Sequence, residues 1–172
     1  VLVITDSQIQ LIEVKSKSIS GSEDAQFLTK KGKIDSKWRP YLADLAFQLL
    51  VLQELFAEDH REIVPCLMCP DKQVACSEDG VHQLFKIKQD ERGRSSCEVI
   101  DGVTKSDLGT PLLAVIDLSS VIAKFIADDY YPSHTLYQGR SFREIVSWYE
   151  SLMADINAQS DQHFTNPGIQ CK

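Results

Sequence analysis

No apolar run in the 172-residue chain approaches the roughly 18 residues that a membrane-spanning helix needs. No charged-then-apolar leader precedes the first strand-like segment. Also missing are a glycine-rich phosphate loop, a Gly-x-Ser-x-Gly elbow and a dinucleotide-binding glycine fingerprint, so the common nucleotide-binding and serine-hydrolase readings have no support. His60, His82, His134 and His163 are scattered, with no His-x-x-x-His pair to suggest a histidine metal site. The cysteines are few and odd in number: Cys66, Cys69, Cys76, Cys97 and Cys171. An odd set without a leader predicts a reduced, cytoplasmic protein, not a disulfide scaffold. Internal repeats and low-complexity tracts are lacking.

What is present is ordinary for one globular domain: 43% hydrophobic and 25% charged residues, on a chain long enough to bury a core without disulfides or a structural metal. The net charge of -7 excludes a broadly basic surface that holds nucleic acid by phosphate neutralisation alone. It leaves room for positive charge confined to one groove, supplemented by bound metal ions. The first residue is Val1, not Met, and the chain reads as part of a longer one.

Residues 1–4 and 9–15 are apolar and β-branched, and Thr5-Asp6-Ser7-Gln8 between them has turn chemistry, which predicts a β-hairpin. Residues 16–36 turn polar and read as a long, partly mobile loop. A strong helix is expected from Trp38 to Glu58, capped by Ser36, with Tyr41, Leu42, Leu45, Ala46, Leu49, Leu50, Leu52, Leu55 and Phe56 on its apolar face. Ile63 to Met68 resembles a buried strand, with residues 72–76 as a possible hairpin partner. Strand, strand, helix, strand is an α/β order in which one helix crosses a mixed sheet. Further on, residues 81–88 suit a short helix or a strand, and 112–126 a strand leading into a helix. Tyr130-Tyr131-Pro132 breaks that run, and Ser141 with Glu144 forms a capping box before a helix carrying Phe142, Ile145, Val146, Trp148, Tyr149, Leu152 and Ile156.

Chemistry concentrates at Ile12-Glu13-Val14-Lys15. Alternation along a strand sends Glu13 and Lys15 to one face and Ile12 and Val14 to the other. A carboxylate and an ammonium on an apolar strand are costly to bury unless something satisfies them. Phosphodiester hydrolysis uses both: Glu13 as an oxygen ligand for Mg²⁺ or Mn²⁺, Lys15 to orient the attacking water or offset charge on the phosphate. By itself the triplet is a weak signal, which an edge strand with a solvated face explains without any chemistry. On the helix, Lys37, Tyr41, Asp44 and Gln48 follow spacings of four, three and four, one stripe of the surface. That stripe is either the rim of the core or a set of groups aimed at Glu13 and Lys15, with Gln48 bonding the attacking water or a substrate phosphate.

The run Leu11-Ile12-Glu13-Val14-Lys15-Ser16, followed by a helix containing Asp44-Leu45-Ala46-Phe47-Gln48, resembles RecB-family nucleases of the PD-(D/E)XK superfamily. Within it the likeness is to a bacterial branch similar to the CRISPR-associated exonucleases. The resemblance implies an α/β, restriction-endonuclease-like fold with a mixed sheet flanked by helices. It implies one domain over 1–172, with 1–76 as the catalytic core and 77–172 as a family-specific elaboration. Carried over, Glu13 is the second acidic metal ligand, Val14 offers its backbone carbonyl to the metal, Lys15 is the catalytic lysine and Gln48 the helix glutamine. The implied activity is Mg²⁺- or Mn²⁺-dependent hydrolysis of single- or double-stranded DNA, exonucleolytic or end-processing. The family's first Asp stands directly before a strand like residues 1–4, so it is expected just upstream of Val1. Asp6 sits several residues too late. The family also often places Tyr four residues after the helix Gln, where this chain has Leu52. The competing reading is a module of the same fold that binds nucleic acid or a protein partner without cutting. A third is an unrelated α/β domain in which Glu13 and Lys15 make a structural ion pair.

Two further features invite interpretation. Cys66, Cys69 and Cys76 suggest a zinc or iron–sulfur site, but Cys66 and Cys69 stand an odd step apart on one strand, and free cysteine is a common buried hydrophobe. Asn166 to Cys171 resembles the entry to the C-terminal cysteine cluster of related nucleases, which makes Cys171 a possible ligand of an iron–sulfur centre completed beyond Lys172. Lys30-Lys31-Gly32-Lys33 is either a solvated loop or a contact for a phosphate backbone.

Overall fold

A computed structural model describes residues 1–21, 23–128 and 139–157, with the side chains of the last three left out. Cys171, His134, His163, the break at residues 130–132 and the side chain of Ile156 lie outside the described residues. The described residues form an α/β structure: a mixed four-stranded sheet, a separate hairpin and three α-helices.

The opening hairpin forms as its turn chemistry predicts. Strand β1, Leu2–Ile4, pairs antiparallel with β2, Gln8–Val14, and the Thr5 amide and hydroxyl both donate to the Gln8 carbonyl across the turn. Helix α1, Arg39–Leu55, then carries the chain over one face of the sheet, so that β3, Glu62–Pro70, runs parallel to β2. The register pairs Glu13 with Leu67 and Val14 with Met68. Parallel neighbours require such a crossover, and α1 is it.

Residues 72–76 do not pair with β3. Its second edge is taken by β6, Leu113–Asp117, antiparallel, which gives the order β1-β2-β3-β6. An alternating polar–apolar stretch right after a strand reads as a hairpin locally; a strand more than forty residues later supplies the more apolar partner. Residues 81–99 resolve the helix-or-strand ambiguity as both: a 3-10 turn at Val81–Leu84 and then β4, Phe85–Gln89, paired with β5, Ser95–Val99. This ribbon forms a sheet of its own. Helix α2, Ser119–Ala127, follows β6 and packs on α1, and α3, Phe142–Asn157, packs on α2 with the Phe142 ring 5.1 Å from Phe125. The Ser141–Glu144 capping box is present: Glu144 accepts from the Ser141 amide and hydroxyl, and the Ser141 hydroxyl accepts from the Glu144 amide. β6 and α2 come from beyond residue 77 and share the sheet and core of the first half.

The core lies between the sheet and α1. Leu11, Leu67, Cys69 and Ile116 meet Leu42, Leu45, Ala46, Leu49 and Leu52, with Val121, Ile122 and Phe125 closing it from α2. Leu55, expected on the apolar face, is 71% exposed because the helix outruns the sheet there. The expected Ser36 cap is also absent. The N-cap residue is Trp38, which makes no side-chain cap bond; its aromatic ring is instead buried against Phe27, 4.7 Å between centroids.

The stretch 16–36 is not a loose loop. Ile19, Phe27 and Ile34 are buried to 5% exposure or less and plug the core under α1. Bridges Ile19–Asp71 and Leu28–Ile34 and a 3-10 turn at Asp24–Phe27 pin them. Polar composition hid three isolated apolar anchors too far apart to show a period.

Candidate functional site

Odd-numbered positions of β2 face α1. Ile9 and Leu11 fill the core, and Glu13 emerges at the strand's end where the apolar contacts stop. Lys15 follows one residue beyond the strand, its amide donating to the Met68 carbonyl, which keeps it in strand-like register. Val14 between them turns its half-exposed side chain to the opposite face.

On the helix, Asp44 and Gln48 are one turn apart and look onto that strand end. The Lys15 Nζ lies 2.6 Å from Glu13 Oε1 and 2.7 Å from Asp44 Oδ2. The Gln48 side-chain amide donates to Glu13 Oε2 at 3.2 Å and to Asp44 Oδ1 at 3.3 Å. Each carboxylate thus accepts from the same ammonium and the same amide, and the four side chains close a ring. Glu13, Lys15 and Gln48, singled out from the sequence, come together. Asp44 is the fourth member, noticed in the sequence as part of the helical stripe but given no role there. Its signal was present: spacings of three and four from Tyr41 to Gln48 leave it no other direction to face.

Burial at the ring is partial, with side-chain exposure of 19% for Glu13, 22% for Lys15 and 46% for Asp44. The hydrogen bond that Lys15 donates to Asp44, then the one it donates to Glu13, pushes the Lys15 ammonium above its ordinary pKa. The reciprocal bond from Lys15, chiefly, holds the Asp44 carboxyl below its ordinary range. Two carboxylates against one ammonium leave the ring a formal charge of -1, which suits an incoming cation. The rim is aromatic and basic. Lys15 Nζ sits 5.8 Å from the Tyr41 ring centroid, while Lys17 Nζ lies over Trp38 at 4.2 Å and Tyr41 at 4.9 Å and donates to the Lys37 carbonyl.

Among the described residues, Cys66 and Cys69 do not converge on a common site. Cys66 is buried on the sheet face away from α1, with Ile12 and Val64, whereas Cys69 is buried on the α1 face. Burial pushes both thiols up in pKa. Among the described residues no group of three or more His, Cys, Asp or Glu side chains is arranged to hold a metal ion, and no helix is long and apolar enough to cross a membrane.

No protein-family model, curated protein or solved structure matches this chain.

Proposed function

We propose that this chain is the core of a metal-dependent nuclease of the PD-(D/E)XK superfamily, with a restriction-endonuclease-like fold, acting on DNA ends or as an exonuclease. The observation that supports it is the meeting of Glu13, Lys15 and Gln48, from a strand end and the crossing helix, with Lys15 and Gln48 each bonded to a different oxygen of the Glu13 carboxylate. A structural ion pair between Glu13 and Lys15 has no need of the helix glutamine. A mixed sheet crossed on one face by α1 agrees with the fold.

The donor set fits Mg²⁺ or Mn²⁺. Glu13 and Asp44 present hard carboxylate oxygens, Val14 has its backbone carbonyl next to Glu13 in the chain, and magnesium is commonly bound through one or two carboxylates with waters completing the shell. Bound there, the ion would polarise the scissile phosphate and acidify a water. The protein's own groups divide the remaining work. Lys15 supplies an ammonium that stays charged throughout the neutral range, to orient the attacking water or offset charge on the phosphate. Gln48 fixes the Glu13 carboxylate through its amide N–H and leaves its carbonyl oxygen for the nucleophile's proton. Asp44 positions Lys15.

The second reading, a module that binds nucleic acid or a protein without cutting, is favoured by one observation: among the described residues, no third acidic, histidine or cysteine ligand joins Glu13 and Asp44. One experiment separates the two. Linear single- and double-stranded DNA is incubated with the protein and either Mn²⁺ or EDTA. Cleavage in Mn²⁺ alone, lost in both Glu13→Ala and Lys15→Ala, supports the nuclease. Binding without cleavage supports the module, and wild-type rates in both variants end the active-site assignment.

A further inference from the structure

A second constellation, on the other side of the first turn of α1, has no part in the ring. A groove of about 490 Å³ is lined by Lys31, Gly32, Lys33 and Ile34 of the 16–36 segment, by Arg39 at the start of α1, and by Lys124 and Asp128 at the end of α2. Four cationic side chains and one carboxylate meet here in a chain of net charge -7. Lys124 is paired with Asp128 at 4.0 Å, and neither Lys31 nor Lys33 has an ion-pair partner among the described residues.

The backbone of the turn that carries Lys31 and Lys33 is held in place. The Thr29 amide donates to the Lys33 carbonyl at 2.7 Å, the Gly32 amide to the Thr29 carbonyl at 2.8 Å, and the Lys33 amide to the Thr29 hydroxyl at 3.2 Å. The Leu28–Ile34 bridge and buried Ile34 fasten this turn to the core. Gly32 adopts φ +70°, with open space where a side chain would project, so the turn brings the backbone round tightly between the two lysines. Gathering like charges from three separate elements onto a pinned scaffold is unfavourable by itself. It becomes favourable once an anion fills the groove.

We propose that this groove is an auxiliary phosphate site that takes the backbone of a nucleic-acid strand, on the opposite side of the α1 start from the Glu13–Lys15 ring. The shared chemistry is a phosphate oxygen cluster meeting Lys31, Lys33 and Lys124. The nuclease reading enters only in choosing a polymer over a free phosphate as its bearer. Side chains of this kind give affinity without sequence preference, and their contribution is read in the salt dependence of binding.

The test uses the full chain in EDTA, so that no cleavage intervenes, and a fluorescently labelled single-stranded DNA oligonucleotide followed by anisotropy across a salt series. The variant is Lys31→Glu with Lys33→Glu, and the control is Lys86→Glu with Lys105→Glu, an equal charge change on exposed positions elsewhere. The groove variant is expected to bind about tenfold more weakly or worse and to lose roughly 1.4 from the log–log salt slope, about 0.7 for each lost single-strand phosphate contact. The control keeps the wild-type slope. Equal weakening in both variants, or an unchanged slope in the groove variant, overturns the proposal. So does tight binding of inorganic pyrophosphate to the wild type with oligonucleotide affinity indifferent to the groove variant. Failure of the wild type to cut DNA in Mn²⁺ would end the nuclease reading and leave this measurement standing. Cleavage with an unaltered salt slope would end the groove and spare the nuclease.

Discussion

Lys15 and Asp44, 29 residues apart in sequence, join through a 2.7 Å hydrogen bond that spans the gap between the sheet and its crossing helix. Each shifts the other in the direction that keeps both charged. Asp44→Asn therefore lowers the Lys15 pKa. The measurement is a pH titration of the Lys15 side chain by NMR, and an unshifted Lys15 would show that Glu13 alone holds it. In the nuclease reading, the alkaline limb of the cleavage profile moves to lower pH by the same amount.

In the nuclease reading, Lys15→Ala removes the cation that the two carboxylates share. Loss of a charge-stabilising donor costs about 100-fold or more in turnover. Glu13→Gln, which keeps the shape and removes a charged oxygen ligand, is expected to lose at least as much and to raise the Mn²⁺ concentration needed for half-maximal rate. A metal requirement unchanged in Glu13→Gln would place the cation elsewhere.

Stability should depend on pH through the same pair. A carboxyl held below its ordinary value of 3.8, as Asp44 is, contributes fully above that value and loses its contribution as pH falls through its folded-state pKa. An ammonium held above 10.5, as Lys15 is, contributes fully below that value and loses its share as pH rises through the folded-state pKa. The difference in Tm between wild type and Asp44→Asn is expected to be constant through the neutral range. It should shrink below pH 3.8 and above pH 10.5. A difference that grows in acid would contradict the pairing.

Phe27, fully buried against Trp38, tests whether the polar 16–36 stretch belongs to the core. Phe27→Ala is expected to cost about 3–5 kcal/mol in chemical denaturation, the range for truncating a buried aromatic. A loss below about 1 kcal/mol would mean that the segment merely drapes over the core.

The β4–β5 ribbon has no such support. Apart from Phe85, every side chain on its strands is exposed, and its pairing is confined to itself. An isolated two-stranded hairpin is marginal in water. Among the described residues, limited proteolysis is expected to cut first at residues 85–99, leaving the sheet, α1 and the Glu13–Lys15 ring intact. Initial cleavage within residues 16–36 would contradict this.

Several of these features could be read before any coordinates. The hairpin was legible because β-branched runs flank a four-residue turn, and α1 because its leucines recur at helical spacing. Glu13, Lys15 and Gln48 stood out as polar groups where burial was otherwise the rule. What escaped depends on contacts between distant segments. Ile19, Phe27 and Ile34 are single anchors in polar surroundings with no period to find. β6 as the partner of β3 follows from competition among strands across the whole chain, which no local window contains. Asp44 was visible as part of a stripe, but only the facing strand shows that it meets Lys15 and not water.

All four members of the ring lie between residues 13 and 48, whereas the parallel neighbour that seats β2 begins at Glu62. During synthesis the whole ring of side chains thus emerges before the strand that seats β2. A ribosome-bound nascent chain ending short of β3 carries all four side chains with one edge of their strand unpaired; emergence of Met68, the partner of Val14 and acceptor for the Lys15 amide, marks the earliest length at which that edge can pair in full.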